Sequence, residues 1–300
     1  MPMRNVIDGA FIAMLEARDL QIKHPMNGLF GGARRVKAYG SSAEFADYRE
    51  YHAGDDLRRI DWNLYARFEK LFLKRFTDER QLHHRIYIDA SASMDWGEPN
   101  KADTALKLAA ALGYLAVQAM DRVTFYAIHD SAAEDISRTV VGREAFYSAA
   151  KQLNSVKFYG DSDFGRAVGS QENPGRGDGI SVLLSDFFTD SDWKGAVDYL
   201  RYHNRDVHLI QVLSRDEIAP GYSGKVRMLD AEAPDEEDDR TYRTEITRSS
   251  MKAYEEAFRW HRNELRTFCT SRGAGFFTVC SDERVERMLF EQAAEGGMIT

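Results

Sequence analysis

Cysteine is almost absent from this sequence: Cys269 and Cys280 are its only two, and they match neither a zinc-ligand nor a redox spacing. A disulfide-stapled scaffold is thereby excluded, and a reduced, cytoplasmic chain is expected. Long apolar runs are missing as well. The N-terminal patch from Ala10 to Leu15 is cut short by Glu16, Arg18 and Asp19, and no stretch approaches the ~20 apolar residues that span a bilayer. It also lacks a signal-peptide cleavage pattern. An excess of positive charge is the third absence. The formal net charge of −8 argues against a general nucleic-acid binder, which needs a basic face for phosphates. There is no Gly-Lys-Ser/Thr of a phosphate loop, so any ATPase activity belongs to a partner. There is no Gly-x-Ser-x-Gly elbow of a serine hydrolase either.

What is present is ordinary globular composition, 43% hydrophobic and 29% charged over 300 residues. That suits one large α/β domain with an extension, or two modest domains. Charge is unevenly placed. Residues 1–80 hold fourteen Lys/Arg against twelve Asp/Glu, whereas the remainder holds 26 against 36.

Val6, Ile7, Ala10, Phe11, Met14 and Leu15 share a helical stripe, which predicts an amphipathic helix over 5–20. The glycines Gly28, Gly31 and Gly32 before Arg34-Arg35-Val36-Lys37 read as a flexible loop rather than a phosphate cradle. Residues 70–76 read as a strand. From residue 83 the pattern becomes alternating. Short apolar strands are expected at 85–89, 122–128, 179–184, 207–213 and 275–279. Helices are expected at 101–120, 143–153, 164–170, 192–203, 248–272 and 282–293. Residues 214–247 read as a turn-rich excursion for which a hairpin is expected, and their acidic run Asp235–Asp239 reads as a solvated loop. Alternating strands and helices imply a mostly parallel sheet flanked by helices, with ligands beyond the carboxyl ends of the strands.

Two carboxylates fall at such strand ends, Asp89 and Asp186. Asp89-Ala90-Ser91-Ala92-Ser93 sets two hydroxyls at alternate positions after the first carboxylate. Oxygen-only ligation suits Mg²⁺, Mn²⁺ or Ca²⁺ rather than zinc. The alternative is that the serines cap the following turn and Asp89 is a strand-end cap. Further oxygen donors follow in Gly160-Asp161-Ser162-Asp163 and in Leu184-Ser185-Asp186.

These three segments, in this order, resemble the von Willebrand factor A fold and its metal-ion-dependent adhesion site. The resemblance covers roughly residues 80–290. It implies Ser91, Ser93 and Ser162 as hydroxyl ligands, with Asp89 and Asp186 as direct or water-bridged carboxylates. The metal would be a divalent cation, with Mg²⁺ first in order, and an Asp or Glu of a protein ligand would fill its open position. Two departures stand out: Ser162 replaces the usual threonine, and Phe187 stands where glycine often follows the third motif.

A second resemblance runs from Glu44-Phe45 through Asp47-Tyr48-Arg49, Gly54-Asp55-Asp56, Arg58-Arg59-Ile60-Asp61-Trp62 and Ala66-Arg67 to Glu79-Arg80. It is similar to the bacterial domain of unknown function 58, whose members join this signature to an A-like domain. Many relatives carry N-terminal membrane helices, which are not expected here. The resemblance implies a MoxR-type AAA+ ATPase as partner. The expected division is an extension over 1–80 and an A-like domain over 81–300. Within the signature, pairing of Asp47 with Arg49, Asp55-Asp56 with Arg58-Arg59 and Asp61 with Arg67 would form an ion-pair network. Trp62 and Tyr48 would anchor the segment to the domain.

Three functions remain open. The preferred one is a non-enzymatic, metal-dependent protein-binding module acting as adaptor for the ATPase. A hydrolase using the same site is the second; its haloacid-dehalogenase form needs an acid two residues after Asp89, where Ser91 stands. The third is a scaffold with a vestigial motif. His83-His84 is read as a pair of ordinary surface residues facing opposite sides of a strand.

Overall fold

The computed structural model describes residues 4–19, 44–52, 55–77, 81–171, 179–229 and 241–289. The glycine-rich stretch at 28–32, the basic residues 34–37 and the acidic run 235–239 lie outside them.

The described elements begin with helix α1 (Gly9–Asp19), strand β1 (Glu44–Glu50), helix α2 (Trp62–Phe68) and strand β2 (Phe72–Thr77). Then β3 (His83–Asp89), α3 (Lys101–Gln118), β4 (Arg122–His129), β5 (Ala132–Asp135), α4 (Arg143–Leu153) and α5 (Phe164–Gly169) follow. After them come β6 (Gly179–Ser185), α6 (Trp193–Tyr202), β7 (Arg205–Leu213), α7 (Arg215–Ile218), β8 (Gly224–Leu229) and β9 (Thr241–Ile246). The last labelled elements are α8 (Arg248–Ser271) and β10 (Gly275–Cys280). A single helical turn, Val285–Arg287, stands inside the expected helix 282–293, whose end lies outside the described residues.

Six strands form one sheet in the order β10-β7-β6-β3-β4-β5. All neighbours are parallel except β5, which pairs antiparallel with β4. This is the mostly parallel α/β sheet that alternating strands and helices imply. Strands β3 and β6 are buried almost throughout because both faces are covered. Period-two alternation then sends Ile86 and Ile88 to one face and Tyr87 to the other. The first face packs against α1, α3 and α4, and the second against α5, α6 and α8. Helix α3 is buried nearly all round. Gly113 lets it sit on the sheet, since a Cβ there would fall 2.3 Å from the Phe125 ring.

The excursion after β7 contains the antiparallel hairpin β8-β9 and the short helix α7, whose capping box is Ser214 with Glu217.

The described residues of Met1–Ala33 and Leu82–Thr300 form one compact unit, and those of Arg34–Gln81 form another. The N-terminal helix therefore packs with the sheet. Ile7 and Leu15 enter the first core cluster. Asn154, at the end of α4, ties the segment down: its Oδ1 accepts from Val6 N at 3.2 Å and Ile7 N at 3.0 Å, and its Nδ2 donates to Ile7 O at 3.0 Å.

In the second unit β1 pairs antiparallel with β2. Of the expected charge network, Arg49 pairs with Asp55 at 2.7 Å, and Asp56 and Asp61 also cap backbone. Asp56 accepts from Arg58 N, and Asp61 accepts from Asn63 N and Leu64 N as the cap of α2. Trp62 is 62% exposed and Tyr48 is exposed as well; the Tyr48 hydroxyl donates to Asp61. The histidines also differ from expectation. His84 is buried, with Nε2 3.0 Å from Asp121 Oδ2, and His83 Nε2 lies 2.9 Å from Thr124 Oγ1. Both are held by side chains of β4 and its approach rather than by solvent.

Candidate metal centre

The chain leaves β3 for β4 and β5 on one side, then returns to β6 on the other. The switch point is thus between β3 and β6, and their carboxyl ends carry Asp89 and Asp186. Both side chains are buried. The β3 end turns sharply: Asp89 Oδ1 accepts from Ser91 N at 3.0 Å, and Ser91 Oγ lies 3.0 Å from Ser93 Oγ. A single 3₁₀ turn, Ala92–Met94, follows. Ser91 precedes it but makes no capping bond through its side chain. That removes the capping role the sequence left open for Ser91.

The loop holding Ser162 is strapped to this turn by backbone. Ala92 N donates to Gly160 O at 2.9 Å, and Tyr159 N donates to Ala90 O at 2.9 Å. A bridge between Asp130 and Ser162 fixes its other side. Asp163 accepts from Arg166 N as the cap of α5, so this neighbouring carboxylate is engaged in holding the helix. Ser162 is buried, and Thr189, just beyond Asp186, reaches its carbonyl at 3.5 Å. The three segments containing Asp89, Ser91, Ser93, Ser162 and Asp186 therefore meet at one end of the sheet. Direct side-chain contact is made between Ser91 and Ser93.

Three residues not singled out in the sequence belong to the same cluster. Ser185 Oγ donates to Asp89 Oδ2 at 2.5 Å and accepts from Phe187 N at 2.9 Å. Lys101, at the start of α3, is 1% exposed and places Nζ 2.7 Å from Asp186 Oδ2 and 2.6 Å from Glu217 Oε1. Glu217 is positioned by α7, where its other oxygen accepts from Ser214 N at 2.7 Å. The Ser214-x-x-Glu217 capping pattern was the available sequence signal for Glu217, and a lysine opening an Ala/Leu-rich helix was the signal for Lys101.

Burial, and then the charge of Asp186, push the Asp89 carboxyl above its usual range, against hydrogen bonds from Ser185 and Ser91. Burial opposes the charge on Lys101, but Asp186 and Glu217 outweigh it and hold the ammonium above its ordinary value. Phe187 adopts φ +56°, the left-handed conformation for which glycine would serve. Its ring is nevertheless buried against Phe164 and Trp193, which explains how a phenylalanine stands there.

Whether the residues fit a divalent ion turns on their chemistry. Asp89 and Asp186 lie close enough to perturb one another, and Asp89 has only hydroxyl and amide donors for partners. The surrounding donors are oxygens of the hard type that Mg²⁺ takes. Among the described residues no group of three His, Cys, Asp or Glu side chains is arranged to hold a metal, so hydroxyls must complete any such site. The donor set fits a hard divalent cation.

Among the described residues no helix is long and apolar enough to cross a membrane. Among solved structures, the VWA domain of SpRpn10 is similar at 12% identity over 70% of this chain and 94% of that one, with a TM-score of 0.38. The pilus adhesin SpaC from Lactobacillus rhamnosus GG is similar at 12% identity over 73% of this chain and 30% of its own, with a TM-score of 0.41. The uncharacterized protein Rv1480 of Mycobacterium tuberculosis is 26% identical over 235 residues, covering 76% of this chain and 73% of its own. The uncharacterized protein Mb1516 of Mycobacterium bovis matches to the same extent. Residues 47–264 match the family described as Protein of unknown function DUF58, and the chain belongs to that family.

Proposed function

We propose that this protein is a non-enzymatic, divalent-metal-dependent protein-binding module, serving a MoxR-type AAA+ ATPase as adaptor in the cytoplasm. The observation that carries the metal reading is the buried pair Asp89 and Asp186 at the sheet's switch point, with an ammonium on Asp186 and, among the described residues, only hydroxyl and amide donors on Asp89. Asp89, Ser91, Ser93, Ser162 and Asp186 would hold the ion, with Mg²⁺ the best match to hard oxygen donors and Mn²⁺ or Ca²⁺ also suited. The bound ion would supply an electrophilic position for an Asp or Glu of the protein ligand. The chain's own residues do the rest. Ser185 orients Asp89, the backbone straps from Gly160 and Ala90 hold the hydroxyl loops together, and Lys101 and Glu217 fix Asp186.

Hydrolysis is disfavoured by Ser91, which occupies the place of the acid that phosphoryl transfer on Asp89 would need. The ATPase partner rests on the family resemblance of the signature residues 44–80. One observation favours a second reading, a scaffold in which no metal binds: the Lys101 ammonium already neutralises Asp186. A pull-down of the MoxR-type ATPase and of client proteins, with and without chelator, tests the function. Retention that is lost with chelator and in Asp186→Ala supports it. Equal retention in every condition contradicts metal-bridged binding.

A further inference from the structure

We propose that Lys101 is a built-in competitor for the cation site, an ammonium that holds Asp186 when metal is absent and lowers the site's affinity for a divalent ion. This inference rests on the metal-binding reading above. Two physical terms oppose a lysine at this place. It is buried, and it opens α3, an 18-residue helix whose N-terminus carries the positive end of the macrodipole. An apolar side chain of the same length would avoid both penalties. The ammonium is held instead by carboxylates from two different strand ends, Asp186 after β6 and Glu217 after β7. Glu217 is locked by the Ser214 capping box, so the second carboxylate is fixed in place before any metal arrives.

That arrangement gives the lysine a choice of partners. An ion drawing on Asp186 must share it with the ammonium, and Glu217 remains to keep the displaced charge paired. The cluster of Asp89, Asp186, Glu217 and Lys101 carries three carboxylates and one ammonium, a formal net of two negative charges. Replacing Lys101 with Met makes the cluster more negative by one charge, and replacing Glu217 with Gln makes it less negative by one. The two substitutions therefore move metal affinity in opposite directions. One unit charge at side-chain contact range from a divalent ion changes its affinity by roughly tenfold, even with the dielectric constant of water.

Calorimetric titration of the full chain with Mg²⁺ and with Mn²⁺ alone, at neutral pH, tests this. Lys101→Met is expected to bind about tenfold tighter than wild type, and Glu217→Gln more weakly. Thermal unfolding supplies a second readout. Metal-free Lys101→Met melts below wild type, while the rise in Tm on adding Mn²⁺ is larger. A purely structural lysine would lower the Tm of the metal-free variant without tightening the ion. Wild-type binding that is unchanged or weakened in Lys101→Met overturns the role of Lys101 and leaves the metal site standing. Binding in none of the three proteins overturns both. If Lys101→Met does not fold, Glu217→Gln decides alone, and unchanged or tighter binding there overturns the inference.

Discussion

Asn154→Ala is expected to loosen the N-terminal helix from the sheet unit and to destabilise the protein by about 3 kcal/mol. Asn154 makes three bonds to the backbone of Val6 and Ile7, and both it and Ile7 are buried. A neutral hydrogen bond contributes about 1 kcal/mol net, and a buried N–H or C=O left without a partner costs about 1–3 kcal/mol. Water entering the space vacated by the amide would recover part of that, which places the sum near 3 rather than 6 kcal/mol. In a chain of this size that loss lowers Tm by about 6 °C. Chemical denaturation gives the free energy, and amide hydrogen exchange over residues 9–19 locates it. Exchange in α1 should accelerate more than exchange in β3 or β6, because the helix is freed locally before the sheet opens. A variant within ~0.5 kcal/mol of wild type, with α1 amides equally protected, would refute the account of how this helix is held.

Three further outcomes follow from the packing. Burial first, then the charges of Arg85, Arg205 and Arg122, depress the His83 imidazole to about 3. Its folded value lies below its unfolded one, so the stability it contributes is present above about 6.5 and is lost as pH falls toward 3. NMR titration should show the His83 ring neutral at pH ~5, and His83→Gln should lose less stability than wild type over that range; a ring titrating near 6.5 would contradict this. Burial lifts the Cys269 thiol to about 12 and, with Asp282 adding to burial, the Cys280 thiol to about 11. Both should therefore resist a thiol-disulfide reagent at pH ~8 until the protein is unfolded, and rapid native labelling of Cys269 would contradict its burial. Phe187→Gly relieves a left-handed backbone but empties a packed site, for a net loss of about 2–4 kcal/mol by denaturation. A stabilised variant would mean that backbone strain outweighs the burial of the ring.

The parallel strands of the sheet and the helices that flank them were legible because their periodicity and burial agree, whereas the short, exposed edge strand β5 was not expected. The apolar run ending at Asp89 is a central strand covered on both faces, and the Ala/Leu-rich helix after it is buried nearly all round. Asp89 and Asp186 could be placed at one end of the sheet for the same reason: both close a buried parallel strand. The pairing of Lys101 with Glu217 was not legible, because a contact across 116 residues depends on the sheet order that brings the ends of β6 and β7 beside the start of α3. Ser185 reads as the last position of a strand, and only register shows its hydroxyl turned toward Asp89. The N-terminal helix was legible as a helix, but its packing against the sheet depends on Asn154, which sits 147 residues from Ile7.

The most direct test of the central claim is a Mn²⁺ titration of the full chain followed by electron paramagnetic resonance, comparing wild type with Asp89→Ala. Circular dichroism should confirm that both are folded. The account predicts a single bound Mn²⁺ in wild type, displaced by excess Mg²⁺ and lost in Asp89→Ala. Equal binding by the two proteins, or no bound ion in wild type, would contradict a metal site built from Asp89, Ser91, Ser93, Ser162 and Asp186.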